Sequence, residues 1–171
     1  MSTQTQDPTV ADVPPLRELE PEQLGAWRGM LRVHSALVKA LDAELIAAHA
    51  LPLTSYEVLI NLQAAPGHRR RMAELADGVL LSRSGTTRLV DRLERDGLLE
   101  RDSCDSDGRG CFAVLTDRGE EVLQLARATH LEGVRERFLR HFAEDELTQM
   151  ASWWDRALPG AAAVGDLSQT D

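Results

Sequence analysis

The 171-residue chain carries 19 basic and 28 acidic side chains, a formal net charge of −9, and 43% of its residues are hydrophobic. This composition is typical of one globular domain, and two cysteines exclude a disulfide framework of the secreted type. No apolar run approaches the ~20 residues of a membrane-spanning helix, and the start of the chain lacks an apolar signal core. We therefore expect a cytoplasmic protein with no membrane partner.

The beginning of the chain predicts a tail followed by a long helix. Residues 1–21 contain four prolines and no apolar period, which predicts a flexible tail. Residues 22–50 then place a seam at alternating steps of three and four, which is typical of a helix that packs on a partner helix. The seam consists of Leu24, Trp27, Leu31, His34, Val38, Leu41 and Leu45.

Two shorter helices are predicted next. Thr54 and Glu57 have the spacing of a capping box, in which each side chain binds a backbone N–H at a helix start. Pro66-Gly67 ends this second helix. Met72 and Leu75 then lie in a short third helix that stops at Gly78.

The stretch from Leu80 to Gly110 predicts an amphipathic helix and a hairpin. Ser82 is the predicted N-cap, Gly97 the left-handed C-cap, and Asp107-Gly108 a two-residue turn between strands at 98–104 and 111–116. The inner face is predicted to hold Thr86, Leu89, Val90 and Leu93, and the outer face Arg83, Ser84, Thr87, Arg88 and Asp91.

Two further helices are predicted over 117–158, and residues 159–171 are predicted to be a flexible tail. Acidic residues suit the start of the first of these helices, because a helix N-terminus carries positive partial charge. This helix is predicted to run through Leu123, Leu125, Val134, Phe138 and Phe142, and the last helix to carry Leu147, Met150, Trp154 and Leu158.

The order of elements predicts a winged helix-turn-helix over 51–116, within a mainly α fold that has a small β hairpin. Residues 69–88 hold five arginines against two carboxylates, although the whole chain is acidic. In such folds the second helix enters the major groove of DNA, where Arg reads guanine and Ser or Thr bonds bases or phosphates. For the run Arg69-Arg70-Arg71, a phosphate contact and a plain solvated loop both stay open.

Three segments closely resemble the multiple-antibiotic-resistance regulator (MarR) family: LTSYEVLINLQAAPG, MAELADGVLLSRSGTTRLVDRLERDGLLER and DGRGCFAVLTDRG. The resemblance covers roughly 24–158 and implies a ligand-responsive regulator, such as a repressor, that binds a palindromic operator in double-stranded DNA. It also implies a homodimer held by the helices of 22–50 and 117–158. The predicted DNA-binding residues are Ser82, Arg83, Ser84, Thr87, Arg88, Asp107, Arg109 and Arg70. Where family wings often read Asp-Arg-Arg, this chain has Asp107-Gly108-Arg109.

The resemblance further implies a small-molecule pocket where the first, second and long post-wing helices converge. Trp27, Met30, His34 and Tyr56 supply a plausible lining, and plain core packing is the alternative for each. His34 has no metal-type neighbours at ligand spacing, so no metal and no cofactor are expected. No HExxH, GxSxG or phosphate-loop motif occurs, and we expect no enzyme activity.

Two alternatives remain from the sequence. A two-residue turn at Asp107-Gly108 would place Cys104 opposite Cys111, a geometry that permits a redox switch, while two ordinary reduced thiols are the other interpretation. A winged helix can also serve as a protein-interaction module.

Overall fold

The computed structural model describes residues 18–78, 83–102 and 111–162. The chain divides into two compact units, Met1–Ser35 and Ala36–Asp171, and the boundary falls inside the first helix. Within the described ranges the fold is mainly helical with a small antiparallel sheet, as the sequence predicts. The helices are α1 (Pro21–His49), α2 (Leu53–Gln63), α3 (Met72–Gly78), α4 (Arg83–Arg95), α5 (Asp117–Arg137) and α6 (Glu144–Ala157).

The core lies in the second unit and is built from the inner sides of α2, α4 and α5 together with the sheet. Val58, Leu59 and Leu62 of α2 are fully buried, and Leu123 of α5 packs in the same cluster. The helices therefore hold α4 from behind and leave its other side at the surface.

The start of α2 differs from the prediction. The N-cap residue is Pro52, which supplies no side-chain hydrogen bond, so the predicted capping box at Thr54 and Glu57 is wrong. Asp42 of α1 takes over this role, because its Oδ1 accepts the N–H of Leu53 at 2.8 Å. A carboxylate from the preceding helix thus satisfies a backbone donor that the sequence assigned to a local side chain.

The end of α4 confirms the predicted glycine cap. Gly97 has φ of +72°, and its N–H donates to Glu94 O at 3.0 Å. The N–H of Leu98 donates to Leu93 O at 2.9 Å, which completes a Schellman motif. The chain therefore turns sharply out of α4 into the sheet.

The sheet contains a strand that the sequence analysis missed. β1 (Arg69–Arg71), β2 (Leu99–Asp102) and β3 (Phe112–Leu115) pair in the order β1-β3-β2. Arg70 lies opposite Ala113 in an antiparallel ladder. The interpretation of the arginine run as a loop is therefore wrong, since its partner strand begins some forty residues later.

The register between β2 and β3 contradicts the predicted turn. Asp102 pairs with Phe112 and Leu99 with Leu115, which leaves nine residues, 103–111, between the last pair. A two-residue turn at Asp107-Gly108 requires an even number and would pair Asp102 with Ala113. The ladder is shifted by one residue from the one that placed Cys104 opposite Cys111, and Cys104 itself lies outside the described residues.

The helix after the wing starts as predicted and ends earlier. Thr116 is its N-cap, and the Thr116 side chain accepts the N–H of Gly119. α5 ends at Arg137, and Phe138 and Phe142 flank a separate 3-10 turn, so their predicted place inside the long helix is wrong. The two phenyl rings pack on each other at 5.2 Å, which favours the turn over a continuous helix.

Among the described residues, no single helix is long and apolar enough to cross a membrane. The helices α1 and α2 pass the test of length and composition only as a pair, and that pair is bent by 84°.

Candidate nucleic-acid interface

The helix α4 separates a buried face from a polar exposed face. Thr86, Val90 and Leu93 are each at most 1% exposed and join α4 to the core. On the opposite side Ser84, Thr87 and Arg88 are exposed, as the sequence predicts. Ser82 lies outside the described residues, and Arg83 is the first residue of α4.

Arg88 is available to an external acceptor. Its Nε donates to Ser84 O one turn earlier at 3.3 Å, which directs the side chain along the exposed face of α4. The terminal guanidinium nitrogens make no hydrogen bond or ion pair within the described part of the chain. A planar group with free paired donors suits a guanine edge or a phosphate.

Arg101 of β2 fixes α4 to the sheet. Its guanidinium donates to Asp91 Oδ1 at 2.5 Å and to Glu94 Oε2 at 2.7 Å, two carboxylates on successive turns of α4. The hydrogen bond to Asp91, reinforced by the charge of Glu94, raises the pKa of Arg101 above its usual value. The sequence analysis missed this residue, although two acidic residues three apart on a helix followed by an arginine on the next strand are a usable signal.

The outer face of the sheet carries two of the three successive arginines. The guanidinium carbons of Arg69 and Arg71 lie 4.2 Å and 5.4 Å from the centroid of the Phe112 ring. Arg69 also pairs with Asp102 at 3.3 Å. Arg70, the member of this run predicted to bind DNA, is half-buried on the opposite face, and its role in binding stays a prediction.

The wing tip lies outside the described residues, and with it the predicted positions Asp107 and Arg109. Cys111, at the base of the wing, is a half-buried free thiol whose Sγ lies 3.8 Å from Phe112 O.

The predicted ligand residues fall in two different units. Trp27 and Met30 are 53% and 37% exposed in the N-terminal unit, where His34 is also exposed. Tyr56 belongs to the second unit and is only 2% exposed. Their common role as a pocket lining stays a prediction.

Tyr56 has a neighbour that the sequence analysis missed. The His130 ring of α5 lies 4.5 Å from the Tyr56 ring, and neither Tyr56 Oη nor His130 Nδ1 has a hydrogen-bond partner in the described ranges. Burial raises the pKa of Tyr56, which the charge of Arg127 partly offsets, and burial lowers the pKa of His130. The signal was the helical spacing of His130 after the buried residues Leu123 and Ala126.

No group of three or more His, Cys, Asp or Glu side chains that could hold a metal ion occurs within 18–78, 83–102 and 111–162.

Known proteins share this arrangement. Residues 50–110 match the MarR family. Sco3205, a MarR family transcriptional regulator from Streptomyces coelicolor solved in complex with DNA, is 31% identical, with a TM-score of 0.78 over 84% of this chain and 93% of that one. The chain belongs to the MarR family.

Two further MarR-family comparisons differ in extent. AbsC, another regulator from Streptomyces coelicolor, is 34% identical, with a TM-score of 0.75 over 86% of this chain and 96% of that one. The transcriptional repressor MprA of Escherichia coli strain K12 is 32% identical over 81 residues, 47% of this chain. That alignment spans about half of MprA, 46% of its length. These relatives are transcriptional regulators rather than enzymes.

Proposed function

We propose that this MarR-family protein is a ligand-responsive transcriptional repressor that binds a palindromic operator in double-stranded DNA as a homodimer. The observation that carries the proposal is the exposed row of Ser84, Thr87 and Arg88 on a helix whose other face is buried. The DNA complex of Sco3205 and the repressor MprA support the same function.

The acidity of the whole chain is compatible with this function. Nucleic-acid binding requires a basic face rather than a basic protein. In this chain Asp91 and Glu94 are paired with Arg101, which reduces their repulsion of DNA phosphates, while Arg88 on the same helix stays uncompensated. The predicted wing residues Asp107 and Arg109 would add a contact beyond α4.

Exposed apolar side chains support the homodimer. Trp153 and Trp154 of α6 are 46% and 41% exposed, and Leu158 just after α6 is 67% exposed. In the N-terminal unit, Trp27 and Leu31 are exposed as well. Large apolar residues clustered at a surface mark an interaction site, and a second copy of the chain is the occupant we propose.

Tyr56 and His130 support the small-molecule effector. A ligand with one polar group and an apolar body would satisfy Tyr56 Oη and still contact the surrounding core. Trp27, Met30 and His34 remain the further lining residues predicted from the sequence. A ligand that prefers a dimer with a different spacing of its two α4 helices would lower DNA affinity.

The test compares two arginines of α4. Genomic fragments enriched on the purified protein supply the operator, and fluorescence anisotropy then measures its affinity over a range of salt concentrations. We expect Arg88→Ala to weaken binding at least fivefold, since one good arginine contact contributes ~1–3 kcal/mol. Arg95→Ala is the matched control, because Arg95 is also exposed and also donates its Nε to the carbonyl four residues earlier.

Equal affinities of the two variants would contradict the assignment of α4. Binding that does not weaken with salt would contradict phosphate contacts, because these contacts release counterions. If no genomic fragment is enriched, a protein-interaction module becomes the better interpretation.

A further inference from the structure

A cavity of about 310 Å³ lies behind α4, within the second unit of the chain. The C-terminal ends of α1 and α4 and the N-terminal ends of α2 and α5 surround it. Its walls are partly apolar, with Leu51, Leu98 and Val122, and partly polar, with Ser55, Arg92 and Arg118. The volume is at the lower end of the range for small-molecule sites.

Arg92 connects this cavity to the recognition helix. Its Nη2 donates to Ser55 Oγ at 2.9 Å, and Ser55 is only 1% exposed. This bond ties the last turn of α4 to the start of α2. The other N–H groups of Arg92 make no hydrogen bond in the described part of the chain, so Arg92 keeps donors for an occupant.

Arg118 approaches the same end of α4 from α5. A Cβ placed on Gly97 would lie 3.8 Å from Arg118 Nη1, so the guanidinium packs along the glycine that caps α4. Within the described residues, Arg118 donates no hydrogen bond and forms no ion pair. Two guanidinium groups therefore bracket one helix end without a carboxylate bound to either.

The remaining polar groups limit the charge of an occupant. Asp96 is the one carboxylate among the lining residues, and it opposes a second negative charge. His49 is already engaged, since its Nε2 lies 2.8 Å from Thr129 Oγ1. Two cations against one anion favour a single negative charge, and the apolar walls favour an organic body over an inorganic ion.

We propose that this cavity binds a small organic monoanion, with its carboxylate between Arg92 and Arg118 and its apolar part against Leu51 and Val122. When Arg92 turns to the ligand, it leaves Ser55 and releases the tether between α4 and α2. Ligand binding therefore lowers the affinity of α4 for DNA, an effect that rests on the proposed DNA-binding function. This site is separate from the one beside Tyr56.

Binding is tested first without DNA, by isothermal titration of the full chain with benzoate. We expect saturable benzoate binding, with benzamide and inorganic phosphate binding at least tenfold more weakly, because one lacks the charge and the other the apolar body. Arg118→Met should weaken benzoate binding at least tenfold. Arg135→Met is the matched control on α5, since Arg135 is exposed and distant from the lining residues.

Three results would overturn the site: no saturable benzoate binding, equal binding of benzamide, or equal binding by the Arg118→Met variant. Tyr56→Phe separates the two sites, and loss of benzoate binding in this variant in place of Arg118→Met would also overturn the proposal. Circular dichroism and urea unfolding confirm that each variant is folded.

The coupling is tested with the enriched operator. Saturating benzoate should weaken operator binding at least fivefold in the natural chain and by less than twofold in Arg118→Met. Linkage requires that the operator weaken benzoate binding by the same factor. Unchanged operator affinity would overturn the coupling. Benzoate binding through Arg118 without any DNA binding would instead contradict only the proposed function.

Discussion

The helices α4 and α6 have nearly the same length, 13 and 14 residues, and both are amphipathic, yet their apolar faces have different fates. The apolar face of α4 is buried within its own chain, with Val90 and Leu93 at most 1% exposed. α6 contains no buried residue, and Trp153 and Trp154 remain 46% and 41% exposed. The difference separates a helix that one chain completes from a helix that needs another surface.

Their polar contacts follow the same division. The side chain of Arg101 in β2 binds two carboxylates of α4, so another element fixes its orientation. The polar side-chain contacts found on α6 are local, such as Glu146 accepting the N–H of Ala143 and Thr148 donating to Glu144 O. One chain therefore sets the orientation of the proposed DNA-reading surface, while α6 is free to adapt to a partner.

The largest expected effect follows from the packing of α4. We expect Leu93→Ala to lower the free energy of unfolding by about 2–5 kcal/mol, because Leu93 is 1% exposed and the truncation leaves a cavity. Urea denaturation measures the loss. The control is Leu125→Ala, where the side chain is 68% exposed and the change should stay within about 0.5 kcal/mol. Similar losses in both variants would contradict the described packing.

The second effect concerns α6 and should depend on protein concentration. We expect Trp154→Asp to raise the dimer dissociation constant at least tenfold, or about 1.4 kcal/mol, because a charge would replace a large apolar contact. Sedimentation velocity over a dilution series measures the dissociation. Gln149→Asp, also exposed on α6, is the control. A monomeric natural chain, or an unchanged constant in the variant, would refute the proposed role of this surface.

The third effect tests whether α5 is completed within the chain at His130. Burial lowers the pKa of His130, while the unfolded chain keeps the ordinary value near ~6.5. The unfolded state therefore binds the proton more readily, and stability falls as pH decreases through that value, until the folded His130 also becomes protonated.

The corresponding variant is His130→Gln. We expect it to lose less stability than the natural chain between pH 7 and pH 5, by the same amount at any protein concentration. His141→Gln is the control, because His141 lies exposed in the turn after α5. If His130→Gln and His141→Gln follow the same pH curve, the burial of His130 does not influence stability.

The smallest effect is expected in the connection between α1 and α2. Ala50 has φ of +51°, in the left-handed region where a side chain is strained. Ala50→Gly should raise the free energy of unfolding by about 0.5 kcal/mol, since relief of strain exceeds the entropy that glycine adds to the unfolded chain. Ala64→Gly, at φ of −73°, should instead be destabilising. Equal signs for the two variants would contradict this account.

Local patterns predicted much of the reading helix and little of its surroundings. The period of Thr86, Val90 and Leu93 and the glycine at 97 define α4 from sequence alone, because packing and cap are encoded within one stretch. The strand β1 escaped prediction, since three arginines carry no apolar alternation and their partner is distant in sequence. Asp42 at the start of α2 and Arg101 beneath α4 were missed for the same reason.

The hairpin and the fifth helix were predicted in kind but wrong in detail. Asp-Gly is a strong turn signal, yet the register is set by Leu99 and Leu115, which both face the core. Phe138 continued the apolar period of α5, but its packing on Phe142 is a contact that helical spacing does not encode.

The strand order β1-β3-β2 has a consequence for the order of folding. β2 and β3 pair residues that are 10 to 16 positions apart, whereas β1 and β3 pair residues 41 to 45 positions apart. Closing the longer loop costs about 1 kcal/mol more chain entropy. β1 should therefore join last and open first, and the amides that bridge β1 and β3 should exchange with solvent hydrogen before those between β2 and β3. Because α3 and α4 lie between β1 and β2 in the chain, the pairing of β1 closes the loop that contains both helices.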